Sequence, residues 1–187
     1  MGLFDSLKNQ AKDVVRGAVQ NMGNKTESIV FPTVPDSFEG FAALPQAAMS
    51  TPFDTAAMTV VALCVYPQAP ETAVQMLNFL RGPRPLNGQE ISFIRDRFRA
   101  KDYVPRSYFK GATPQNDYTP QPPYTIQVMA DQNSFLTQGM AKLFIPSGGA
   151  DSPRPIQLRQ AKDGKWYLWE QFLLTDIRQP ESANPWA

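Results

Sequence analysis

The run from Met140 to Gln171 limits what this chain can fold into more than any other part of it. It holds three short strand-like segments, an unusual loop between the first two, and two of the three tryptophans. Ala141, Leu143 and Ile145 share one face of the first segment, with Lys142 opposite. Ile156 to Arg159 alternates apolar and polar, as a half-buried strand does. Lys165 to Trp169 is aromatic on both faces, which suits a central strand better than an edge. Lys162-Asp163-Gly164 reads as a three-residue hairpin loop with Gly164 at the positive-φ position. That loop pairs Leu158 with Leu168 and Ile156 with Glu170. It gathers Ile156, Leu158, Trp166 and Leu168 on the core face and leaves Glu170 at its edge. A two-residue Asp-Gly turn would slip the pairing by one and bring the other face inward.

Upstream, the pattern is helical. Thr51-Pro52-Phe53-Asp54 opens a helix with an N-cap, a proline at the first position and an acid to return the capping bond. Phe53 to Tyr66 is apolar nearly all round, so this is the buried helix. Pro67 stops it, Pro70 starts another, and Gly82 ends that one. Asn87 with Glu90 forms a capping box for a further helix with Ile91, Ile94 and Phe98 inward. Its charges Arg95, Arg97, Arg99 and Lys101 do not make one stripe, which predicts a solvated face. Residues 25–50 read as an irregular segment with a short strand at Ser28 to Phe31. The proline-rich stretch from Tyr103 to Pro123 packs down through Tyr103, Tyr108, Phe109 and Tyr118. Tyr124 to Val128 opens the C-terminal sheet. Asp131 to Gly139 is a turn with room for one helical turn, and Trp186 is expected to dock in a surface groove. Helices followed by strands predict an α+β fold, with helices packed on a C-terminal antiparallel sheet of about four strands.

Leu3, Phe4, Leu7, Ala11, Val14, Val15, Ala18 and Met22 recur at helical spacing, and Gly23 and Asn24 close the segment. This divides the chain into an amphipathic helix at 1–24 and an α+β domain at 25–187. The helix fits a protein-docking or membrane-surface role, or packing on its own domain or a second copy. Mixed charge on its polar face favours protein, so the partner-binding candidates are Leu3, Phe4, Leu7, Val14 and Val15, acting on a partner or in self-association. Met1 to Ser6 also fits the short myristoylation pattern, one that chance produces often.

The chain has 187 residues and no histidine, which excludes a Ser-His-Asp or Cys-His nucleophile and histidine-ligated metal. Cys64 is the only cysteine, so no intrachain disulfide forms, and its place in the buried helix makes it a packing residue. A formal net charge of +1 argues against nucleic acid. Asp5, Lys8, Lys12 and Asp13 break any signal-peptide core, and the apolar run from Ala56 to Tyr66 is too short to span a bilayer. The expected setting is cytoplasmic. No cofactor fingerprint or metal cluster is visible.

The loop from Ser147 to Pro155 carries the one motif with room for ligand chemistry. Amides near Gly148 and Gly149 suit an anion-binding concavity, to which Arg154 and Arg106 would add donors. A rigid turn held by an Asp151–Arg154 pair explains the same residues. The ligand candidates are therefore Gly148, Gly149, Asp151, Arg154, Arg106 and Glu170.

Ser147 to Ile156, Leu158-Arg159, Lys165 to Glu170 and the terminal Asn184-Pro185-Trp186-Ala187, with Pro105 to Phe109 and Gly111 to Pro114, resemble an uncharacterised family of bacterial domains of unknown function. The resemblance covers roughly the C-terminal half and implies no activity. The Asp163-Gly164-Lys165-Trp166 hairpin following helices is also similar to the closing strands of cystatin-like or NTF2-like folds. Together these readings predict a non-catalytic cytosolic bacterial binding or adaptor domain. The alternative is a small-ligand binder or pocket enzyme of NTF2-like form that uses Arg, Asp, Glu and Tyr.

Overall fold

A computed structural model describes residues 24–186. The helix expected over Leu3 to Met22 lies outside the described residues. Its candidates Leu3, Phe4, Leu7, Val14 and Val15 lie outside them too.

Five strands form one antiparallel sheet in the order β1 (Thr26–Phe31), β2 (Tyr124–Met129), β3 (Met140–Ile145), β4 (Arg154–Gln160), β5 (Trp166–Gln171). Between β1 and β2 come the helices α1 (Phe38–Ala42), α2 (Pro52–Val65), α3 (Pro70–Arg81) and α4 (Gly88–Arg97). This is the expected α+β arrangement, with four strands after the helices. The fifth is the short strand expected at Ser28 to Phe31, which starts earlier and pairs with β2 over its whole length.

Helix α2 is the centre of the core. Thr51 Oγ1 accepts the Asp54 N–H at 3.1 Å and gives its own proton to Asp54 Oδ2 at 2.7 Å, so the first turn is fixed on both sides. From Phe53 to Leu63 only Asp54 is not buried. The helix contacts all five strands. Its two buried hydroxyls are satisfied: Thr59 donates to Thr55 O at 2.8 Å and Thr55 to Trp166 O at 2.6 Å. Helix α3 packs on α2 and β5. Helix α4 opens with the expected capping box, in which Asn87 Oδ1 accepts from Glu90 N–H and Glu90 Oε2 from Asn87 N–H, both at 2.9 Å. Phe98 at its end stacks on Tyr66 with ring centres 4.6 Å apart.

The β4–β5 hairpin has the expected loop. Ala161 N–H donates to Lys165 O and Gly164 N–H to Ala161 O, each at 3.0 Å, and Gly164 has φ +83°. Leu158 pairs with Leu168 as expected, but Ile156 pairs with Gln171 rather than Glu170. Trp169 is the extra residue of a β-bulge, which sets Glu170 opposite Gln157. Glu170 is consequently exposed instead of sharing the rim of the core face.

Strand β5 is an edge strand, not a central one. Its aromatic residues are covered by other elements. Trp166 N–H donates to Met49 O at 2.9 Å, and the Tyr167 ring fills the space where a Cβ on Gly82 would stand. Trp169 lies under the guanidinium groups of Arg84 and Arg159, at 4.5 and 4.7 Å from its ring centre. These contacts shield the edge against pairing with another chain.

Tyr103, Tyr108, Phe109 and Tyr118 are buried, as expected. Three tyrosine hydroxyls tie that segment to the C-terminal run: Tyr108 to Leu173 O at 2.5 Å, Tyr118 to Arg178 O at 2.7 Å, Tyr103 to Ile177 O at 3.3 Å. Residues 131–139 form turns without a helix. Trp186 does not dock. Its backbone N–H closes a local turn on Asn184 Oδ1 at 3.1 Å, and the residue is 92% exposed.

Candidate functional site

Residues from the C-terminal half of α3, from α4 and from β5 and its exit line one groove. The groove left between them has a volume of about 450 Å³. Leu77, Leu86, Phe93, Ile94, Leu168 and Phe172 supply its apolar lining. Phe93 is 46% exposed and Phe172 39%, so two phenyl rings stand open to water at one concave place.

Arg81, in the last turn of α3, is the polar centre of this groove and is only 5% exposed. It is held by Nε to Arg84 O at 2.9 Å, Nη1 to Trp169 O at 3.4 Å and Nη2 to Glu90 Oε1 at 2.9 Å. Burial pulls its pKa below the usual value, and the Glu90 charge opposes that shift. Glu90 therefore caps α4 with one oxygen and neutralises Arg81 with the other. Glu170 also lines the groove, and its charge reaches Arg81. Among the described residues Glu170 makes no ion pair. Arg84 Nη2 also faces Glu90 Oε1, at 3.9 Å, so Glu90 is shared between two guanidinium groups and Glu170 is the groove carboxylate left without an ion pair among the described residues.

Glu170 is the one sequence-derived ligand candidate in this groove. Gly148, Gly149, Asp151 and Arg154 lie at the β3–β4 loop, and Arg106 belongs to the proline-rich segment that bonds to it through Ser107. Gly148 N–H donates to Ser107 O at 2.9 Å and Gly149 N–H to Ser147 Oγ at 3.1 Å, so both amides are bonded within the molecule. The glycines serve close approach: a Cβ on Gly148 would lie 1.9 Å from Ala112 O, and one on Gly149 2.1 Å from Tyr118 Oη. Asp151 pairs with Arg178, not with Arg154. Arg154 instead donates to Ser152 O and Oγ, both at 3.2 Å, and to Asp176 O at 2.8 Å. The C-terminal run supplies the partners of both residues in place of an Asp151–Arg154 pair, and Arg178 N–H also donates to Gly149 O at 2.9 Å. Arg106 donates to Tyr118 O at 3.3 Å and faces Asp102 at 3.8 Å.

Arg81, Leu86, Phe93 and Phe172 were not legible as site residues in the sequence. One signal was there: Arg81 stands four residues after Leu77, on the face of α3 that also buries Ala73 and Leu80. A charge on a buried helical face calls for a partner. Burial pushes the Cys64 thiol up to about 12, so it stays a neutral packing group. Among the described residues no group of three His, Cys, Asp or Glu side chains is placed to hold a metal ion. Among them, too, no helix is long and apolar enough to cross a membrane.

No curated protein and no solved structure matches the chain. The likeness of the closing strands to cystatin-like or NTF2-like folds therefore stays an analogy of form. A family model does match, over residues 33–181, which takes in all four helices and every strand but β1. By that match the chain belongs to a family described as a domain of unknown function, DUF6935.

Proposed function

We propose that this domain is a non-catalytic binding or adaptor module of the bacterial cytosol, and that it takes its partner in the groove between α3, α4 and β5. The observation that carries this reading is the pair of open phenyl rings, Phe93 and Phe172, over an apolar floor with a buried, neutralised arginine. A concave apolar patch with few fixed polar groups is the usual form of a recognition site. The chain's lack of histidine and its unactivated thiol also favour binding over catalysis. The single cysteine fits a reducing compartment.

A second reading is favoured by the convergence of Arg81, Glu90 and Glu170 in the same groove. It is a small-ligand pocket of NTF2-like form, with these groups fixing a polar headgroup. Phenethylamine tests the groove, because its ring and ammonium match the phenyl rings and the Glu170 carboxylate. Amide shifts in the full chain should cluster at residues 86–94 and 168–172 and vanish in Phe93→Asp. Shifts scattered elsewhere, or unchanged by Phe93→Asp, would remove the groove from both readings.

A further inference from the structure

We infer that the groove is the docking site of this chain's own residues Leu3 to Met22. The inference rests on the groove being a binding site and names its occupant.

Segment and groove each leave apolar surface to be covered. The segment carries Leu3, Phe4, Leu7, Ala11, Val14, Val15, Ala18 and Met22 at helical spacing, a stripe that must be covered if it is to be helical in water. The groove offers the complementary surface: an open, apolar concavity with Phe93 and Phe172 uncovered. Helix-in-groove recognition uses anchors at such a spacing, and Phe4, Leu7 and Val14 supply them.

Their charges are also complementary. Lys8, Lys12 and Arg16 recur every four residues, which on a helix places them in one line beside the apolar stripe. Only Asp5 and Asp13 oppose them within the segment. In the groove Glu90 is taken up by Arg81 and Arg84, and Glu170 makes no ion pair among the described residues. A basic line beside an apolar stripe meets an apolar groove with an unpaired carboxylate.

The segment is long enough to reach the groove. Strand β1 begins at Thr26, on the edge of the sheet opposite β5. Four strand spacings separate the two edges, about 19 Å. A helix the length of Leu3 to Met22 is about 30 Å long, so the segment spans the sheet's width with length to spare.

The test uses the full chain with a photo-activatable benzophenone amino acid at position 93. Irradiation should cross-link it to peptides within residues 3–22, and Leu7→Asp/Val14→Asp should abolish that cross-link. In the same double variant, amide exchange at residues 86–94 and 168–172 should become about tenfold faster, as removal of a bound cover requires. Cross-links that avoid residues 3–22, or groove exchange identical in the two proteins, would overturn the assignment. Phenethylamine separates the binding site from its occupant. If the segment covers the groove, the double variant should bind it about tenfold more tightly than the unmodified chain. Equal binding in both proteins, at the groove, sinks the occupant and keeps the binding site. No binding at the groove in either protein sinks both.

Discussion

Gly148 and Gly164 each exclude a side chain, for unrelated reasons. Gly164 has φ +83° with nothing near its missing Cβ, so an alanine there meets only backbone strain. Gly164→Ala should cost about 1 kcal/mol. Gly148 sits against a backbone carbonyl, Ala112 O, which cannot swing aside as a side-chain end would. Gly148→Ala should cost about 3 kcal/mol, because the β3–β4 loop must leave the proline-rich segment to admit the methyl group. Denaturant titration of both variants checks the ranking, and a smaller loss at 148 than at 164 would contradict it. The pair Arg81 and Glu90 gives a second residue-scale expectation. Glu90→Gln keeps a capping acceptor but takes the hydrogen-bonded counter-charge from a guanidinium that is 5% exposed. The cost should be about 2 kcal/mol, reduced from the fully buried case because Glu90 itself is partly exposed. Asn87→Ala, which removes only the cap, should cost about 1 kcal/mol. If the two variants lose the same amount, the ion pair adds nothing to the cap.

At the scale of elements, the Tyr103–Tyr118 segment is fastened to Leu173–Arg178 by three phenols, and this makes the fold sensitive to alkali. Burial raises Tyr103 and Tyr108, and pushes Tyr118 up to about 12. A phenol whose folded pKa is raised is most stabilising while it stays protonated in both states. Its contribution is therefore complete below the ordinary tyrosine value of about 10 and is lost as pH climbs towards the folded value. Thermal melts should be level near neutrality and fall between about pH 10 and 12. Tyr118→Phe, which removes one titrating group and one bond to Arg178 O, should lower the neutral-pH midpoint and flatten that decline. The helix boundaries, the Asn87–Glu90 box and the Gly164 loop could be read from the sequence because each is a local pattern of cap, proline or turn glycine. The bulge at Trp169 could not, since nothing local marks an extra residue. Nor could the edge position of β5, because Arg84 from the loop after α3 and Arg159 from β4 cover its tryptophan. The glycine loop was visible as unusual, but its reason is Ala112 against Gly148 and Tyr118 against Gly149, 36 and 31 residues earlier in the chain. The groove was hidden for the same cause: its walls come from three elements, and of its polar groups only Glu170 had been singled out as a ligand candidate.

At the scale of the molecule, the family match and the fold do not begin at the same residue. The matched span starts at residue 33, whereas β1 runs from Thr26 to Phe31. That strand is part of the structure and not a leader to it. Phe31 is fully buried and Ile29 nearly so, and all six residues pair with β2. Helix α2 touches β1 as well as the other four strands, so the core is closed on this side by β1. A chain starting at Thr33 would lose two buried apolar side chains worth about 1.5–3 kcal/mol each. It would also uncover the edge of β2, whose N–H and C=O groups would then be free to pair with another chain. A chain starting at Lys25 keeps all of this. The expectation is that the protein starting at Lys25 melts cooperatively and stays monodisperse, while the one starting at Thr33 melts at least about 10 °C lower or aggregates on purification. Calorimetry and light scattering on the two proteins decide the matter. Equal melting temperatures and equal particle sizes would mean that β1 is an ornament on a core complete without it, and that the functional unit begins where the family match does.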